Sequence, residues 1–194
     1  MDTFNSQFSI LNSPFVKQRK ALLYDKNTLE FVTVALEFCG LMETADRHST
    51  FSFVDKAVKI LPLLYLKATL LPVVGELEED GEPEQFITEN TYEAIRCRTA
   101  DLLCEYDTFL ETFHPDMQYS DMPVVATISE NLADIYQDLG NFVALFRQEN
   151  ELVMEQALCA CEENFRLYWG QKLLNALKAL HTVRFSEDND LIEE

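Results

Sequence analysis

Thr127-Ile-Ser-Glu-Asn-Leu-Ala-Asp-Ile-Tyr-Gln-Asp-Leu-Gly-Asn-Phe-Val-Ala-Leu-Phe146 is the stretch that decides the fold. Ile128, Leu132, Ile135, Leu139, Phe142 and Phe146 step by four and three, the spacing that puts side chains on one face of an α-helix. Thr127 with Glu130 three residues on forms a capping box, which fixes where the helix starts. A stripe of this length stays stable only when buried against other helices, and its heptad-like period favours near-parallel axes. One such helix implies a bundle.

Four more helices read outward from it. Thr91 to Phe113 repeats the pattern with Ile95, Thr99, Leu102, Tyr106, Phe109 and Phe113, and Pro115 is expected to stop it. Asn27 to Asp46 starts on the pair Asn27 and Glu30 and carries Leu29, Val32, Ala35, Leu36, Cys39 and Met42. Ser52 to Pro72 has a very wide apolar face, with Lys56, Lys59 and Lys67 on a narrow polar remainder. It is expected to be the most enclosed helix, kinked at Pro62. Glu151 to His181 carries Leu158, Cys161, Phe165 and Tyr168, then shifts phase to Trp169, Leu173, Leu177 and Leu180. Gly170 sits at the shift, where a bend or a close helix approach is expected. No stretch reads as a strand. The expectation is an all-α, antiparallel bundle of about five helices in a single domain, residues 27–185. A loosely ordered basic arm, 1–26, precedes it and an acidic tail, 186–194, follows. Glu76 to Glu84 reads as an acidic loop, and His114 to Val124 as a second connection.

The net charge of the 194-residue chain is −19. That balance works against binding nucleic-acid phosphates or anionic membranes, and favours either solubility alone or a basic protein partner. The arm holds four basic and two acidic residues, so 11 of the 15 basic and 32 of the 34 acidic residues lie in the body. The most apolar run, Ile60 to Val74, contains Lys67 and two prolines and is too short to span a bilayer. No secretory leader is recognisable. The five cysteines, an odd number without metal-knuckle spacing, read as reduced thiols. A cytoplasmic setting is expected.

Three segments carry a resemblance: Asn27-Thr-Leu-Glu-Phe-Val-Thr-Val-Ala35, Ser129-Glu-Asn-Leu-Ala-Asp-Ile-Tyr-Gln-Asp-Leu139 and Asn164-Phe-Arg-Leu-Tyr-Trp-Gly170. Over roughly residues 27–181 the chain resembles a bacterial all-helical family known as a domain of unknown function, number five thousand and sixty-three of its series. The resemblance implies a helical fold in a bacterial cytoplasm. It implies no activity, cofactor or catalytic residue.

The chemistry-bearing patterns are sparse. Asp107 and Glu111 on the expected third helix, and Asp134 and Asp138 on the fourth, are each four apart and share a helix face. Such pairs could hold a divalent ion or work as acid and base, or simply form a solvated flank. Glu111-Thr-Phe-His114 is a single Glu-x-x-His, whereas a di-iron bundle needs two of them with further glutamates. No nucleophile elbow or Gly-rich phosphate loop is present. Tyr168, Trp169 and Gly170 read either as a core anchor or as a groove-lining binding surface. His48, His114 and His181 all fall near expected helix C-termini at one end of an up-down bundle. They suit the negative end of the helix dipole, or could share a transition metal.

No resident cofactor is expected. A non-enzymatic interaction or adaptor domain, using the acidic surface or an inter-helix groove, is the function this pattern favours. The alternative is a small-ligand or divalent-metal-binding protein, extending to a metal-dependent hydrolase built on the carboxylate pairs. Carboxylates converging on a pocket would favour the second, and an exposed apolar patch the first.

Overall fold

The Thr127 hydroxyl accepts the Glu130 N–H at 3.3 Å and opens helix α4 (Ile128–Phe146). The computed structural model describes residues 20–72, 83–111 and 124–186. Among them α4 is the central element, packing on α1 (Lys26–Glu43), α3 (Glu89–Leu103), α5 (Glu151–Asn164) and α6 (Gly170–Phe185). Helix α2 (Thr50–Thr69) packs against α1 and α6. Thirteen of the 19 residues of α4 are buried, against six of the 20 in α2. The most enclosed helix is therefore α4 and not α2, because the wide apolar surface of α2 extends past what its neighbours cover.

Hydrogen bonds at the two ends establish the up-and-down order. Thr50 Oγ1 donates to the Leu102 carbonyl at 2.9 Å, and the Arg98 guanidinium to that of Glu43 at 2.7 Å. The C-terminal ends of α1 and α3 thus lie beside the start of α2. Arg184 bonds Asp55 and brings the end of α6 to the same place. At the opposite end Lys67 bonds Glu30 at 2.6 Å. There Asn141 Oδ1 also accepts both the Phe86 and Ile87 N–H groups at 2.7 and 2.8 Å, holding the lead-in to α3 against α4. Gly140 makes room for it, since a Cβ there would sit 2.8 Å from the Ile87 side chain.

The core is aromatic at its middle. Phe31, Phe142 and Trp169 are 0, 2 and 0% exposed, and Phe31 lies 5.3 Å from Phe142 and 6.5 Å from Trp169, centroid to centroid. Burying side chains of this size removes 150–250 Å² each from water and supplies much of the drive to fold. Leu23, in the helical stretch 20–23, is also buried. Residues 1–19 of the expected arm, the acidic loop through residue 82, the connection 112–123 with His114, and the tail from 187 lie outside the described residues.

Several local expectations are corrected. Asp25, not Asn27, caps α1, accepting the Asn27 N–H at 2.8 Å, while Glu30 is drawn to Lys67. The third helix ends at Leu103, ten residues early. Cys104 takes φ 49°, a 3-10 turn covers Cys104–Asp107, and Thr108–Glu111 forms strand β1, antiparallel to β2 (Val124–Thr127) with Thr108 opposite Thr127. So a strand pair exists where none was expected. Thr108 and Phe109 suit a strand, and the pairing keeps Asp107 at the start of α4.

The long fifth helix is three segments. Between α5 and α6, Phe165–Trp169 forms a π-turn in which the Gly170 N–H bonds the Phe165 carbonyl, five residues back. A π-turn inserts one extra residue into the helical repeat, and this is the shift of the apolar stripe from Tyr168 to Trp169. Gly170 is the residue that permits it: a Cβ there would lie 2.4 Å from the Phe165 carbonyl oxygen.

Candidate functional site

Asp134 faces inward from α4 at 7% exposure, and three partners from α3, the π-turn and α6 converge on it. The Tyr92 hydroxyl of α3 donates to Oδ1 at 2.9 Å, the Lys172 ammonium of α6 lies 3.0 Å from Oδ2, and Tyr168 also bonds this carboxylate. Lys172 stands 5.4 Å from the centre of the Tyr168 ring. Burial first, and the bond to Asp134 second, push both phenols well above the ordinary tyrosine range. They remain donors to a fixed carboxylate and are poor acids.

Asp138 follows one turn later, and Asn164 Nδ2 donates to it at 2.6 Å. Burial pushes its carboxyl up to about 6. The Asn164 bond opposes that shift, and the neighbouring Asp134 charge adds to it. Asp138, Asn164, Gln137, Gln156 and Phe142 line a cavity of about 740 Å³ between α4 and α5.

The other expected carboxylate pair is dispersed. Asp107 is 7% exposed and accepts from Ser129 twice, from the N–H and from the hydroxyl, each at 2.7 Å, so it acts as a second cap on α4. Glu111, in β1 and not on a helix, accepts from Asn175 Nδ2 at 2.9 Å. The four carboxylates therefore do not make one centre. Asp134 and Asp138 share a seam with Tyr168, while Asp107 and Glu111 have separate structural partners.

Trp169 is fully buried and its indole N–H donates to the Cys161 carbonyl at 3.1 Å, which places it in the core, away from any groove. Gly170 is buried with it, and only Tyr168 of the three reaches the surface, at 45% exposure. His48 approaches Lys56 Nζ at 3.4 Å, and burial with that ammonium lowers its pKa. His181 packs against Phe185 along α6, ring centroids 4.7 Å apart and planes tilted by 47°. His114 lies outside the described residues. Among the described residues no group of three or more His, Cys, Asp or Glu side chains could hold a metal ion, and no helix is long and apolar enough to cross a membrane.

A second concave surface runs between α2 and α6, about 900 Å³ in volume. Val58, Pro62, Leu174, Leu177 and Phe185 give it an apolar lining, with Asp55, Lys59, His181 and Arg184 around it. Asp55 accepts from Lys59 at 2.6 Å and from Arg184 at 3.1 Å, and these bonds hold its carboxyl below the usual range. Leu66 and Leu70 lie four and eight residues beyond Pro62 and continue the α2 wall. Leu63, Leu66 and Leu70 are 50, 49 and 44% exposed, and Leu174 on the α6 wall is 39% exposed.

Sequence reasoning missed this face because a leucine-rich helix reads as buried. It also missed Tyr92 and Lys172, polar residues on different helices whose meeting at Asp134 no spacing rule reveals. The signal available was the width of the apolar surface of α2, broader than the single stripe that a helix in a bundle needs.

A family model described as Domain of unknown function (DUF5063) matches residues 23–186. The chain is also similar to protein BF1032 from Bacteroides fragilis, whose crystal structure superposes with a TM-score of 0.76. The two sequences are 45% identical over 85% of this chain and 96% of that one. Curated proteins return no match.

Proposed function

We propose that this chain, which belongs to the DUF5063 family, is a non-enzymatic interaction module that docks a partner on the outer face of α2 and α6. One observation carries the reading: Leu63, Leu66 and Leu70 on the α2 side and Leu174 on α6 stand 39–50% exposed beside an open apolar groove. Scattered exposed leucines need no explanation, but a continuous row beside a groove is the surface a partner helix covers. The polar seam supports the same reading from the other side. Asp134 already holds an ammonium and two phenols, which leaves it little capacity to bind a substrate or an ion.

The test is recovery of bound protein from native lysate by the immobilised chain, set against a Leu66→Asp/Leu174→Asp variant at low and high salt. The reading requires at least one protein retained by the parent and lost with the variant, with both chains equally folded by circular dichroism. Equal retention by the two would remove it. A second reading, a small-ligand site, is favoured by the cavity at Asp138, where a carboxyl pushed up to about 6 by burial faces amide side chains. In that case Asp138→Ala, and not the leucine variant, would abolish binding of the ligand.

A further inference from the structure

We propose that the groove between α2 and α6 receives an amphipathic helix whose polar positions are acidic. This rests on the docking face proposed above and adds the chemistry of the partner. The charge of the chain is strongly segregated. Helices α2 and α6 contain six of the 15 basic residues, Lys56, Lys59, Lys67, Lys172, Lys178 and Arg184, but only one of the 34 acidic residues, Asp55. Lys67 is paired with Glu30 of α1 and Lys172 with Asp134 of α4, so the charges that line the groove are Lys59, Lys178 and Arg184 against Asp55. At the groove itself one carboxylate, Asp55, faces both Lys59 and Arg184. The net charge of the whole chain favours a basic partner, whereas the local charge of the groove favours an acidic one. At contact distance the local charge decides, because interactions beyond about 8–10 Å are screened at physiological salt.

The shape selects a helix. From Lys59 to Leu70 the α2 wall runs twelve residues, about 16 Å, which matches three turns of a partner helix with leucine-type anchors at i, i+4 and i+7. The groove is open along its length, whereas an acyl chain or small ligand is held by a pocket that encloses most of its surface. A second copy meeting this face across a two-fold axis would oppose cationic helices to cationic helices. A bilayer offers a flat surface, which does not fill a concave groove between two helices.

The experiment uses the full chain and three fluorescein-labelled helical peptides of about five turns. All share one leucine pattern, with the other positions Glu, Gln or Lys, and fluorescence anisotropy follows binding. The Glu peptide is expected to bind at least tenfold tighter than the Gln peptide at low salt, and the Lys peptide weakest. The preference should narrow as salt rises. Lys59→Glu should erase the preference while keeping Gln-peptide binding, and Leu66→Asp/Leu174→Asp should abolish all binding. Equal affinity for the three peptides overturns the acidic chemistry and leaves the docking face standing. Binding of none of them, or binding untouched by the leucine variant, overturns both. A parent that sediments as a dimer, dissociated by the leucine variant, also overturns the inference, since the occupant would then be a second copy.

Discussion

Replacing Gly170 with alanine should destabilise the protein, although the same exchange stabilises most helices. In an ordinary helix interior Gly→Ala gains about 1 kcal/mol, because glycine loses more backbone entropy on folding and buries no side chain. At Gly170 the added Cβ would lie 2.4 Å from the Phe165 carbonyl oxygen and 3.0–3.1 Å from the Phe165 ring. The oxygen is backbone and is the acceptor of the π-turn bond, so it cannot swing aside. Relief requires the turn to rewind to α geometry, which rotates α6 against α5 by about 100°. Then Trp169 and Leu173, both 0% exposed, could not keep their seats while Leu158 and Cys161 kept theirs. Misplacing one such side chain costs about 2–4 kcal/mol, which outweighs the propensity gain. Gly40, inside α1 with nothing within 4 Å of its virtual Cβ, is the internal control and should gain about 0.5–1 kcal/mol as alanine. Urea unfolding followed by helical circular dichroism measures both. Equal stabilisation of the two variants would refute the π-turn explanation of the phase shift.

Trp169→Ala should lose about 3–5 kcal/mol in the same assay. Trp169→Phe should lose about 1–3 kcal/mol, because the ring volume is largely kept but the bond to the Cys161 carbonyl is not. Asp107→Ala leaves the buried Ser129 N–H and hydroxyl without their acceptor and should cost about 2–4 kcal/mol, with Asp107→Asn milder. Asp138 has a folded-state pKa of about 6 against an ordinary 3.8, so its ionised form opposes folding. That penalty is absent below about pH 4, grows as pH rises from 4 to 6, and is constant above 6. Asp138→Asn should therefore stabilise by about 1–2 kcal/mol at pH 7.5, allowing for partial exposure, and by nothing at pH 4. A gain that persists at pH 4 would assign it to packing instead.

The bundle was legible in the sequence wherever periodicity and burial agree. Ile128 to Phe146 and its Thr127 cap stand as read, and the stripe through Leu158 and Cys161 reaches the core. Legibility failed where a tertiary partner overrides a local pattern. Tyr106, Phe109 and Phe113 continue a heptad, yet Asp107 is needed at Ser129 and Thr108 pairs with Thr127, so the chain leaves the helix. At Gly170 the anomaly was visible and its cause was not, because a π-turn has no compositional signature beyond the glycine it requires. Of the candidate residues, Asp134, Asp138 and Tyr168 come together. Asp107 and Glu111 do not join them, since the spacing argument assumed a helix that ends before either. The exposed face of α2 was hidden for the opposite reason: hydrophobic width cannot distinguish a side chain covered by its own fold from one awaiting a partner.

The docking face is tested most directly by photo-crosslinking in cells, with a benzophenone amino acid placed singly at Leu66, at Leu174, and at the exposed Glu37 on α1 as control. A discrete heavier adduct is expected from positions 66 and 174 and none from 37. Adducts from Glu37 alone, or none from either groove position in a chain that folds normally, would contradict it.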